Sequence, residues 1–164
     1  MDLLEAKSRI AEALVESIFR RARYQIRPYR SDAFPLRFGR EDFSPDFCVA
    51  PAPETGTGQE LLVEVKYRPS AYQFLSVENQ RGDRSVFLMA RRNWPNLYFV
   101  LVTDRPEPGR SCFQAFPLAA WHPGEPFRTV DLVALKELRI FQHNVEDHEE
   151  LIRRIFGLLS GASL

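Results

Sequence analysis

A chain of 164 residues, 45% hydrophobic and 27% charged, is long enough to bury one good core and too short for two, so a single domain over residues 1–164 is expected. Lys+Arg and Asp+Glu both number 22, which excludes a global positive field as the means of holding nucleic acid; any such surface has to be a local patch. Cys48 and Cys112, far apart and without CxxC spacing, exclude a disulfide scaffold and a thiolate metal site, while the absence of a membrane-length apolar stretch or a signal-like start at Met1–Lys7 predicts a cytoplasmic protein.

From Leu3 to Ala22 apolar residues recur at helical spacing, with Ile10, Ala11, Leu14, Val15, Ile18, Phe19 and Ala22 on one stripe. Glu12 falls at the border of that stripe near Phe19, and Glu16 lies about 40° farther toward solvent. Tyr24 to Tyr29 reads as a strand. It leads into a loop in which Arg27, Arg30, Arg37 and Arg40 alternate with Tyr29, Phe34 and Phe38. That interleaving suits phosphates and bases, although scattered loop arginines also make an ordinary solvated surface.

A short apolar stretch, Phe43 to Ala50, carries Pro45-Asp46. The Pro-, Gly- and Thr-rich segment from Pro51 to Gly58 folds it back onto a second strand, Leu61 to Tyr67. Alternation places Leu61, Val63, Val65 and Tyr67 on one face and Leu62, Glu64, Lys66 and Arg68 on the other. With Ala50 opposite Glu60, Asp46 comes opposite Glu64, so two carboxylates and an ammonium converge. Lys7, Lys66 and Lys136 are the lysines of a chain whose other basic side chains are arginines.

Farther on, Ser70 to Asn79 and Arg84 to Arg92 read as helices split by Arg81-Gly82-Asp83, together a crossover. Leu97 to Thr103 is a continuous apolar run, the pattern of a central strand buried on both faces. After the turn Arg105 to Gly109, Cys112 to Phe116 is expected as an edge strand of a mixed sheet. Pro123, Gly124 and Pro126 mark a loop, Asp131 to Leu138 a short helix, and Asn144 the N-cap of a helix reaching about Leu159. His143, Asp147 and His148 lack a third-ligand pattern and read as capping and exposed groups.

Two converging carboxylates suit a hard divalent cation, and a lysine beside it can steady a phosphate oxygen or an attacking water. The plain alternative is an amphipathic strand with a Glu/Lys pair on its solvent face. Pro45-Asp46 followed by Glu64-Val65-Lys66 resembles the signature of the PD-(D/E)xK nuclease superfamily, with helix, Pro-Asp strand, loop and Glu-x-Lys strand in the family's order over residues 8–103. The resemblance implies an α/β fold, a restriction-endonuclease-like three-layer core with a mixed central β-sheet flanked by helices, here followed by a helical part at 129–160. It implies a Mg2+-dependent DNA endonuclease, with Mn2+ as a substitute, that leaves a 5′-phosphate and a 3′-hydroxyl.

In that reading Asp46 and Glu64 are metal ligands joined by the backbone carbonyl of Val65, and Lys66 orients the attacking water. Glu12, or Glu16 in its place, supports a second ion or a bound water. DNA is the partner, met by Arg27, Arg30, Arg37, Arg40 and Arg68, with Tyr67, Gln73 and Gln80 as further candidates. The protein partner would be a second copy, a homodimer allowing two-strand cutting, or else an accessory protein. The alternative function is a catalytically weak or inactive nuclease-fold module for DNA binding or assembly.

Overall fold

The first helix forms where its apolar stripe and its ends agree. In a computed structural model, which describes residues 2–30, 36–38, 41–53 and 58–161 and gives the backbone alone at 36–38 and 41–43, α1 spans Leu3–Arg21. Asp2 caps it by accepting the Glu5 N–H over 2.7 Å, and Arg20 and Arg21 sit in the last turn, where cations oppose the helix dipole. Arg23, with φ 72°, turns the chain into β1 (Tyr24–Pro28).

A separate two-stranded ladder pairs β2 (Leu36–Phe38) with β3 (Glu41–Phe43). Next come β4 (Phe47–Pro51), β5 (Leu61–Tyr67), α2 (Ala71–Arg81), α3 (Val86–Asn93), β6 (Leu97–Val102), β7 (Phe113–Pro117), β8 (Val130–Asp131) and α4 (Gln142–Leu159). The main sheet is open, six-stranded and mixed, in the order β1-β4-β5-β6-β7-β8. Its β5–β6 pair is parallel and the other pairs are antiparallel.

Helices cover both faces. Val63, Val65 and Tyr67 of β5 and Val100 and Val102 of β6 pack with α1 and α4, whereas Phe99 and Leu101 pack with Val86, Phe87 and Ala90 of α3 and with Phe74 of α2. Phe87 is the hub of the second core. Its ring meets Phe74, Phe99, Phe116 and Phe127 at centroid separations of 4.9 to 5.9 Å. Removing it by Phe87→Ala costs about 3–5 kcal/mol on general grounds.

Several expectations are corrected. The stretch Phe43 to Ala50 is two strands rather than one, divided at Ser44–Asp46, because Pro45 has no N–H to give a ladder. The strand at Phe113–Pro117 is not an edge, since Val130–Asp131 pairs with it; two residues between prolines and a loop gave no strand periodicity. In place of a helix over Asp131 to Leu138 there are two 3-10 turns, Leu132–Ala134 and Lys136–Leu138. Phe141, not Asn144, is the N-cap of α4, and Asn144 reaches back from the first turn to accept the Phe141 N–H over 2.8 Å.

His148 is half-buried rather than exposed. It lies 2.8 Å from Ser17 Oγ and 3.1 Å from an Arg21 nitrogen, tying α4 to α1. Lys7 is buried as well, with Nζ 2.8 Å from Ser160 Oγ and over the rings of Tyr67 and Phe156. Cys48 and Cys112 are buried free thiols. No described helix is long and apolar enough to cross a membrane.

Candidate active site

The pairing of β4 with β5 positions the acids. Phe47 is opposite Val63, Cys48 opposite Leu62 and Val49 opposite Leu61, the register that brings Asp46 level with Glu64. The Asp46 N–H donates to the Val63 carbonyl over 2.8 Å. Asp46 Oδ2 then accepts the Val65 N–H over 2.6 Å. Val63 and Val65 therefore turn their backbone groups toward β4, and the Val65 carbonyl faces the same side as the Asp46 carboxylate. From the other flank the Tyr29 N–H reaches the Asp46 carbonyl at 3.4 Å, and the Tyr29 hydroxyl is held by Trp94 Nε1 at 2.9 Å.

Glu64 and Lys66 occupy the sheet face opposite that of Val63 and Val65. Lys66 Nζ lies 3.2 Å from Glu64 Oε1, and the Glu64 side chain is 3% exposed. Its Oε2 is buried without a hydrogen-bond partner. Burial and the neighbouring Asp46 charge push the Glu64 carboxyl well above the usual carboxylate range, against the pull of Lys66. Asp46 is pushed up to about 7, first by burial and then by the Glu12 charge, opposed by the Val65 N–H and Lys66. Neither acid has enough positive charge near it.

Glu12, half-buried on α1, is raised by burial and lowered by Lys66 and Arg9, so it belongs to the same electrostatic group. Glu16 instead pairs with Arg20 at 2.7 Å. Among the described residues, no three His, Cys, Asp or Glu side chains stand close enough to hold a metal between them; Glu12 is near by charge rather than by contact. The donors that do converge are the carboxylates of Asp46 and Glu64. An unpartnered buried carboxylate oxygen beside an acid with a pKa near neutrality fits a hard divalent cation, which takes oxygen ligands and removes their mutual repulsion.

The arginines separate into different settings. Arg27 gives Nε and a terminal nitrogen to Glu60, with Nε at 3.1 Å. Arg30 is exposed and follows Tyr29 beside Asp46. Arg37 lies on β2 opposite Asp42, its side chain outside the described residues, as is the whole of Arg40. Arg68 donates to the Tyr67 carbonyl over 2.8 Å and lies over the Phe74 ring. Tyr67 is core, 2% exposed, with its hydroxyl on Asp104 at 2.7 Å, so it offers no group to DNA.

A cavity of about 360 Å3 opens beside Lys66 and Arg68 and is bounded farther out by Ser70, Gln73 and Arg81. Ser70 and Arg81 carried no sequence signal, because their proximity depends on how α2 lies against the end of β5. Trp94 was missed because its contact with Tyr29 joins residues 65 positions apart. Comparisons with protein-family models, with curated proteins and with solved structures find no match to this chain.

Proposed function

We propose that this chain is a magnesium-dependent deoxyribonuclease on a restriction-endonuclease-like core, hydrolysing phosphodiester bonds at Asp46, Glu64 and Lys66. The observation that carries the reading is the buried Glu64, one oxygen on Lys66 at 3.2 Å and the other without a partner, level with an Asp46 that is itself undercompensated. A structural Glu/Lys pair on a strand does not need a second, half-buried carboxylate beside it. Its orphan oxygen costs stability that an apolar pair would not.

Asp46, Glu64 and the Val65 carbonyl would hold the ion, which when bound lowers the pKa of the attacking water and neutralises charge on the phosphate. Lys66 donates hydrogen bonds to that water and to a non-bridging phosphate oxygen, offsetting the charge that grows on phosphorus. Glu12, coupled by charge to Lys66 and both acids, orients a second water. Water oxygen bonds to phosphorus, the bond to the 3′-oxygen breaks, and the products are a 5′-phosphate and a 3′-hydroxyl.

The test is incubation of the purified protein with plasmid, single-stranded and branched DNA, with magnesium or manganese and with chelator. Metal-dependent cutting that Asp46→Asn abolishes is expected. No cutting of any substrate would instead favour a binding or assembly module.

A further inference from the structure

The strand directions collect basic residues at the end of the sheet that carries the acids. β5 and β6 are parallel, so Arg68 and Arg105, which follow them, emerge at one end. β4 is antiparallel to β5 and β7 to β6, so Asp46 and Arg110, which precede those strands, lie at that end too. A second cavity, of about 300 Å3, is bounded by Tyr72, Arg105, Glu107, Arg110 and Arg128. Ser70 lines both this cavity and the one beside Lys66, so the two adjoin.

The basic and aromatic side chains of the second cavity have different roles; Phe127, buried, belongs to its floor. Arg110 is engaged, its Nε 3.0 Å from Asp131 and a terminal nitrogen 2.9 Å from the Thr129 carbonyl; it braces the wall. Arg105 and Arg128 are exposed, and among the described residues their guanidinium groups have no ion pair or hydrogen bond. Glu107 is the one carboxylate among the residues lining this cavity. Tyr72 is 68% exposed, although it stands on a helix whose Phe74 and Leu75 pack inward, so packing does not account for it.

Guanidinium groups recognise phosphate bidentately, and cations interleaved with an open aromatic face are the combination that holds unstacked nucleotides. A duplex keeps its base faces away from such a ring. We propose that the Tyr72–Arg105–Arg128 cavity takes an unpaired DNA strand leading away from the phosphate at Lys66, with the arginines on its phosphates and Tyr72 stacked on a base. The inference rests on the nuclease reading for the identity of the phosphate at Lys66. It narrows the substrate to DNA with an unpaired strand next to the cleavage point.

Binding of a labelled single-stranded oligonucleotide and of its blunt duplex, followed by fluorescence anisotropy in chelator across a salt series, tests the proposal without cleavage. The wild type should prefer the single strand. Arg105→Gln/Arg128→Gln should weaken that binding tenfold or more and flatten the log–log salt slope by about 1.4, the value for two lost phosphate contacts on a single strand. Tyr72→Ala should cost about fivefold or more. Circular dichroism melts check that the variants, all at exposed positions, remain folded.

Unchanged single-strand affinity in the folded variants, a wild-type preference for duplex, or no binding at all would overturn the proposal. Cleavage with magnesium is scored separately. Its absence alongside binding that depends on Tyr72 and the two arginines would overturn the nuclease reading and leave the strand-binding surface standing.

Discussion

Val65 donates its N–H to Asp46 Oδ2 over 2.6 Å, so the carboxylate carries the bonding to β5 one step past the Asp46 N–H, which donates to the Val63 carbonyl. The same acid thus caps a strand and faces Glu64. This double use makes Asn the informative replacement, since its side-chain oxygen can still accept from Val65 while the charge is gone.

Asp46 has a pKa of about 7 in the folded chain against an ordinary 3.8, and Glu64 is shifted in the same direction. A carboxyl with a raised folded pKa holds its proton more tightly when folded. Its contribution is therefore intact below pH ~4 and is lost as pH rises toward ~7. In chelator, Asp46→Asn should be more stable than the wild type at pH 8 by on the order of 1–2 kcal/mol, about 2–8 °C in Tm, with the gap closing at pH 4. Manganese should raise the wild-type Tm, more at pH 8 than at pH 6 because the ion displaces a proton, and should not raise that of Asp46→Asn. Equal manganese shifts in both proteins would put the ion elsewhere.

Arg27 is occupied by Glu60 through two hydrogen bonds, and a phosphate at Arg27 has to compete with that carboxylate. Glu60→Gln should tighten DNA binding and steepen the salt dependence by about one unit for duplex, as one more cation becomes available. Arg27→Ser should then weaken it. If neither substitution moves the affinity, Arg27 lies outside the interface and Arg30 is left as the described arginine nearest Asp46 on that flank.

Glu78 tests the joint between α2 and α3. It is buried, accepting from Ser85 Oγ at 2.9 Å and from the Val86 N–H at 3.0 Å with one oxygen and from Arg81 at 3.0 Å with the other. Glu78→Ala strands those donors and should cost about 2–3 kcal/mol, read as a lower denaturant midpoint. Glu150→Ala, which breaks an exposed pair with Arg154 at 3.7 Å, should cost less than about 0.5 kcal/mol.

What was legible in the sequence follows from the range of the interactions involved. The stripe from Ile10 to Phe19 and the unbroken run Leu97 to Val102 mark local periodicity against a core, and both elements are found as expected. The level placement of Asp46 and Glu64 followed from setting Ala50 opposite Glu60, and the pairing of Phe47 with Val63 has that same register. β8 was not, since two residues have no period and Val130–Asp131 pairs only because β7 lies there. The burial of Lys7 against Tyr67, Phe156 and Ser160 joins residues 60 and 153 positions apart for its two hydrogen bonds, and nothing near Lys7 in the chain announces it. The shared Ser70 wall is equally non-local.

The most direct measurement is single-turnover DNA cleavage by Lys66→Ala, with Lys136→Ala as a control of the same charge change and circular dichroism on both. Without Lys66, the buried Glu64 can take up a proton, so the fold is expected to survive. The ammonium acts mainly in the transition state, and its loss should slow turnover by roughly a hundredfold or more with little change in DNA affinity. Lys136→Ala should cut at the wild-type rate. Cleavage near the wild-type rate by a folded Lys66→Ala would contradict the account and leave the Asp46–Glu64–Lys66 cluster a structural feature of the sheet.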